Sequence, residues 1–186
     1  LYTHQVLIED TNDAQRFDQL FELVQVIPQQ SFVIQSNQPI NVTSYDSKLH
    51  RKLWVASGQL TKDQLSRMIS CQLSTNARDQ GWASNPDQGI WTWFELCILK
   101  GPTSSDQFTE DDIKKDANGA LLSYFSHSTE LSSEYKDQTG KLFGKDSELW
   151  KNCESGNLIG AVACAQFPLW SLDGKVAKLT FKEVAQ

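Results

Sequence analysis

The sequence predicts an all-β domain, an antiparallel β-sandwich or jelly roll with short helices at its periphery. Three features carry that expectation. The apolar runs are strand-sized, clusters of Asn, Asp, Gly and Pro separate them, and no regular alternation of strand and helix patterns can be traced. A parallel α/β sheet would show that alternation.

After a short extended piece at 5–9, residues 13–27 place Phe17, Leu20, Phe21 and Val24 at helical spacing. Thr11, Asn12 and Asp13 are available as caps and Pro28 closes the segment, so a helix is expected there. Phe32, Val33 and Ile34 then read as a strand running into the turn residues Asn37, Gln38 and Pro39. Across 65–75, Leu65, Ile69, Cys71 and Leu73 alternate with Ser66, Ser70, Gln72 and Ser74, the pattern of a half-buried strand. A turn-rich loop at 75–89 leads to a strand at 90–99 that is apolar on both faces, as expected mid-sheet or in a sandwich wall. Residues 101–145 are polar and read as a long surface excursion with some helix. Residues 146–150 suggest a capped helical turn, and 158–167 and 175–184 form two apolar strands around a turn at 168–174. No repeat is visible, and one domain is expected for residues 1–186.

The charge of -6, from Asp+Glu 23 against Lys+Arg 17, repels phosphate backbones, and no long run of Lys or Arg overrules it locally; nucleic acid is not an expected partner. No apolar stretch approaches the roughly 20 residues of a membrane helix, so membrane insertion is not expected. The first residues lack the basic start and apolar core of a signal peptide, which leans the compartment towards the cytoplasm without fixing it, although the missing initiator Met leads us to expect that something upstream was removed. Asn41-Val42-Thr43 is a glycosylation sequon that would matter only on secretion. Cys71, Cys97 and Cys164 sit in apolar runs and read as small buried hydrophobes, while Cys153, between Asn152 and Glu154, reads as exposed. Without a CxxC pair, zinc is not expected.

Three blocks resemble a known domain. Asp79-Gln80-Gly81-Trp82, then Trp91-Thr92-Trp93-Phe94-Glu95, then Ala163-Cys164-Ala165-Gln166-Phe167-Pro168-Leu169-Trp170 are similar to the DQGW, SWTWFE and A-x-A-Q/R-F-P-G-W blocks of a family recurrent in predicted fungal proteins. The resemblance covers roughly residues 65–184. It departs at Leu169, where the family pattern has Gly, and at Ile90, where it has Ser. The resemblance implies a galactose-binding-like β-sandwich, an architecture shared by many carbohydrate-binding and adhesion modules, and implies little about activity. Function has to be argued from a site.

The turn-rich loop supplies the candidate ligand-binding residues: Trp82 with Asn76, Arg78, Asp79, Asn85 and Asp87. An aromatic plate beside paired donors and acceptors suits a sugar, which presents an apolar C–H face and a rim of hydroxyls. Trp170 and Gln166 join the candidate site if the second aromatic block converges on the first. Trp91 and Trp93 read more simply as core wall. Glu95, on the strand face that carries them, needs either an Arg partner such as Arg67 or Arg78, or the hydroxyls of a ligand. His4, His50 and His127 are scattered in polar contexts, and no nucleophile elbow or metal loop is present. No catalytic residue and no cofactor are therefore expected. A structural calcium at Glu110, Asp111 and Asp112 is conceivable, and a solvated acidic loop is the simpler reading. The expected function is non-enzymatic, lectin-like binding of a glycan or glycoprotein. The alternatives are a protein-interaction module and a hydrolase that pairs Asp79 with Glu95. Oligomeric state cannot be read from these patterns.

Overall fold

In the computed structural model, residues 28–83, 87 and 89–185 are described; the helix expected at 13–27 and the candidate Asn85 lie outside them. Among the described residues nine strands form two antiparallel sheets. The first holds β1 (Gln29–Ser36), β2 (Ile40–Thr43), β4 (Met68–Asp79), β7 (Lys136–Gly144) and β9 (Ser171–Val184), with β9 and β4 central. The second runs in the order β3 (Leu49–Ala56), β8 (Leu158–Gln166), β5 (Thr92–Leu99), β6 (Ser123–Ser128). The pairs nest: β2 with β9, β3 with β8, β4 with β7 and β5 with β6. Such nesting is one long antiparallel hairpin rolled up on itself. The cross-pairs β4 with β9 and β5 with β8 close the roll, and the result is a jelly roll.

Alternation explains the core. Cys71, Leu73 and Ala77 of β4 and Leu172, Leu179 and Phe181 of β9 face Phe94, Leu96 and Ile98 of β5 and Ile159, Ala161 and Ala163 of β8. Each large side chain removed from water there contributes about 1.5–3 kcal/mol. Trp54 lies within this layer, stacked on Phe94 at 5.8 Å, and donates its indole N–H to the Gln38 carbonyl at 2.9 Å. Gly174 lies against the Trp54 ring with no room for a Cβ.

The second sheet is also covered on its outer face. Leu53, Cys97, Leu99, Val162 and Cys164 form a separate apolar cluster with Ile113, flanked by Phe108 and Leu121. These last three come from the β5–β6 connection. This is why Thr92–Leu99 is apolar on both faces, as its sequence suggested. The first sheet has no comparable cover among the described residues.

Several expectations need correction. Residues 101–145 are not one surface excursion: they contain β6 and β7, and the β5–β6 connection, with a 3-10 turn at Glu110–Asp112, is the lid of the second cluster. The expected strand at 65–75 begins instead at Met68, because Lys62–Arg67 forms helix α1. Thr61 caps it, accepting from the Gln64 N–H at 3.1 Å while its own N–H donates to the Gln64 side chain at 2.9 Å. Cys153 is buried, not exposed, in the core beside the short helix α2 (Glu148–Lys151). Burial pushes its thiol up to about 11 and raises those of Cys71, Cys97 and Cys164 further. All four cysteines are free.

Candidate functional site

Rolling the hairpin gathers four loops at one end of the sandwich, β2–β3, β4–β5, β6–β7 and β8–β9, and a set of polar contacts stitches them together. Ser44 N–H donates to the Trp170 carbonyl at 2.9 Å and the Leu169 N–H donates to the Ser44 carbonyl at 3.0 Å, which joins β2–β3 to β8–β9. Gln166 donates from its N–H to the Trp91 carbonyl at 3.0 Å and from its side chain to the Ser47 carbonyl at 3.2 Å.

The Asp79-Gln80-Gly81-Trp82 block divides its labour. Asp79, at the end of β4 and 3% exposed, faces inward. Its Oδ1 accepts from Gly81 N–H at 2.7 Å and from Ser132 N–H at 2.9 Å, so one oxygen closes its own turn and ties it to the β6–β7 loop. Its Oδ2 is buried without a hydrogen-bond partner among the described residues. Burial holds the Asp79 carboxyl above its usual range, against the two backbone donors that pull it down. Gln80 Oε1 accepts from Ser171 N–H at 3.0 Å and its Nε2 donates to the Trp82 carbonyl at 2.8 Å, which ties the loop to β8–β9. Gly81 has φ 81°, and a Cβ there would stand 2.7 Å from the Ser133 Cβ, so the position accepts only glycine. Three residues build the turn, and the fourth is displayed: Trp82 is 52% exposed.

Display is repeated in every loop of this end. Tyr45 in β2–β3 is 81% exposed, Leu131 in β6–β7 36% and Leu169 in β8–β9 65%. The remaining large exposed hydrophobics among the described residues, Val33, Phe125 and Leu142, lie on strands, and the loops of the opposite end carry none. The β8–β9 loop is also strained. Phe167 (φ 68°) and Leu169 (φ 73°) are the two non-glycine residues with left-handed backbone among the described residues, at a cost of about 1–2 kcal/mol each. At Leu169 the turn takes a conformation that glycine adopts most easily, and the side chain projects into solvent. Phe167 is held by an edge-on contact with Trp91, ring centroids 4.6 Å apart.

The other candidates fall in different places. Asn76 and Arg78 alternate with the inward residues of β4 and therefore lie on the outer face of the first sheet, not beside Asp79. Asn76 donates to Asp137 at 2.8 Å, and Arg78 to Asp173 at 3.3 Å and the Ser133 carbonyl at 3.0 Å. The Arg78 guanidinium also lies over the Tyr135 ring. Asp87 is exposed in the β4–β5 loop. Trp170 is half-buried behind Leu169, with its backbone bound to Ser44.

Glu95 is taken up by the chain's own donors. It is 8% exposed on the outer face of the second sheet and accepts from Trp93 Nε1 at 2.8 Å, Ser123 Oγ at 2.6 Å and Arg51 Nε at 3.0 Å. Burial pushes its carboxyl up, and these three donors outweigh that and leave it below the usual range. Its arginine is Arg51, not Arg67 or Arg78. Arg51 also pairs with Glu110, which fastens the lid of the second cluster. Asp79 and Glu95 therefore lie on different sheets and share no cleft, which removes the geometry a two-carboxylate hydrolase needs. His127, expected at the surface, is half-buried over Phe94, bonded to Thr75 at 2.9 Å and Ser126 at 3.0 Å, and desolvation lowers its pKa to about 4. Among the described residues no cluster of His, Cys, Asp and Glu could hold a metal ion, Glu110, Asp111 and Asp112 included. Lys115 pairs with Asp111, and Asp112 closes the Thr109 cap. No described helix is long and apolar enough to cross a membrane.

No family profile and no curated protein matches the sequence. Among solved structures the chain is similar to the crystal structure of infectious bursal disease virus VP2 subviral particle. The identity is 10%, with 84% of this chain and 42% of that chain covered and a TM-score of 0.20, a likeness too slight to bear on function.

Proposed function

We propose that this chain is a non-catalytic, lectin-like glycan-binding module whose site is the end of the sandwich formed by loops β2–β3, β4–β5, β6–β7 and β8–β9. One observation carries the reading: each of these loops exposes one large apolar side chain, Tyr45, Trp82, Leu131 or Leu169, and the opposite end exposes none among the described residues. Exposed aromatic side chains on a loop frame held by backbone hydrogen bonds offer plates for the apolar face of a pyranose without ordering cost at binding. Polar side chains stand nearby for its hydroxyls: Asp46 pairs with His50 at 3.0 Å beside Tyr45, and Gln166 reaches the same loop. Asp79 and Gln80 act as positioning residues for Trp82.

The two aliphatic tips, Leu131 and Leu169, favour the second reading, a protein-interaction module, because leucine neither stacks on sugars nor bonds to hydroxyls. A glycan array followed by calorimetry on Trp82→Ala and Tyr45→Ala separates the two. Glycan binding lost in both variants supports the first reading. An array without hits, on protein shown to be folded, would sink it.

A further inference from the structure

Among the described residues nothing covers the outer face of the first sheet, while that of the second is covered. Residues paired across strands point to the same side, so the pairs Ser74 with Lys178, Asn76 with Val176 and Arg78 with Asp173 show what this face carries. Lys178 and Lys182 stand exposed along β9. Lys175, at the β9 bulge, lies with its ammonium 3.8 Å from the Tyr135 ring centroid, beside Arg78 on the same ring. The acids of the face are Asp137 and Asp173, and both are engaged, by Asn76 and by Asn41 and Arg78. No described carboxylate lies within ion-pair distance of Lys175, Lys178 or Lys182. A chain of net charge -6 thus presents one cationic sheet face.

We infer that this face binds an acidic polysaccharide. The reading of the chain as a glycan binder supplies the class of polymer; the charge and the spacing supply the rest. Lys175, Lys178 and Lys182 are roughly 10–13 Å apart along the strand at about 3.3 Å per residue. A charge carried once per disaccharide suits that spacing. Nucleic-acid phosphates, at about 3.4 Å per strand, do not. Beside Lys178 lies a shallow depression of about 470 Å³ lined by Ser74, Asn76, Asp137, Thr139 and Lys178 itself, whose hydroxyl, amide and carboxylate groups match the neutral hydroxyls of such a polymer. Val33 and Leu142, exposed on the rows beside Thr180 and Gln72, flank it with apolar surface.

Affinity electrophoresis through gels containing hyaluronate, with one carboxylate per disaccharide, or kappa-carrageenan, with one sulfate ester per disaccharide, with neutral dextran as control, tests the inference. The wild-type protein is expected to be retarded by at least one acidic polymer and not by dextran, with the retardation weakening as salt is raised. Whichever polymer acts identifies carboxylate or sulfate as the group bound. Lys175→Gln/Lys178→Gln/Lys182→Gln is expected to lose about tenfold in affinity with an unchanged unfolding midpoint. Trp82→Ala is expected to be retarded like wild type, so failure of the loop-end site and failure of this face are told apart. No retardation of folded wild-type protein by either polymer, equal retardation of the triple variant, or equal binding of a single-stranded oligonucleotide would overturn it.

Discussion

Replacing Asp79 tests whether the loop end is held in place by its own frame. In Asp79→Ala the N–H groups of Gly81 and Ser132 lose their common acceptor. Each lost bond costs about 1 kcal/mol, and more where the stranded donor stays dry, so about 2–3 kcal/mol is expected in all, or roughly 4–12 °C in Tm. Asp79→Asn keeps the Oδ1 acceptor and puts a donor where the unpartnered Oδ2 lies, so its loss should stay under about 1 kcal/mol. The pH dependence carries a sign. The folded carboxyl titrates above its unfolded value, so the native state holds the extra proton in the window between the two. Wild-type stability should therefore fall, relative to Asp79→Asn, as pH rises through that window, and the difference should level off above it. Urea unfolding across acid and neutral pH measures both effects. Equal damage from Asn and Ala, or an Asn-to-wild-type difference that does not move with pH, would refute the clamp.

Two further outcomes are expected. Leu169→Gly should leave stability unchanged or raise it by up to about 1 kcal/mol, since relief of left-handed strain is offset by a looser unfolded chain, while weakening whatever binds the loop end; thermal unfolding beside a binding titration checks the trade. Glu95→Ala removes the common acceptor of Trp93, Ser123 and Arg51 and leaves Arg51 only Glu110, and should cost about 3 kcal/mol in chemical unfolding, with binding by the folded protein unaffected; a loss of binding at full stability would return Glu95 to the ligand site.

The sandwich was legible because burial alternates along β4 and β9, and because Thr92–Leu99, apolar on both faces, has no other place than a central strand with a covered outer face. Helix α1 was missed although its signal was present: Thr61 and Gln64 form a capping box, and the serine alternation around it masked the change of period. Residues β6 and β7 contribute were hidden because both are edge strands of mixed polarity, in which sequence pattern barely differs from loop. At the site, Trp82 was legible as a displayed residue in a Gly-containing turn. Asn76 and Arg78 were grouped with Asp79 by proximity in sequence, whereas the two-residue period of a strand sends Asp79 inward and its neighbours out. Tyr45 and Leu131 escaped notice because each stands alone in its loop, and Leu169 was marked only as a departure from a family pattern, not as a displayed side chain. Nothing short of the strand pairing says that these loops meet.

The nested pairing also sets when the protein can exist. β9 joins β1, β2 and β4, so the first sheet has no centre until that last strand has left the ribosome, and nearly every pairing must close a long loop. Folding of this kind is slow, and partly made chains expose the edges of β2 and β4 meanwhile. The four loop tips are brought to one end by the same late event. A truncated or misassembled chain therefore has no partial version of the loop-end site, and binding there reports on completion of the whole fold.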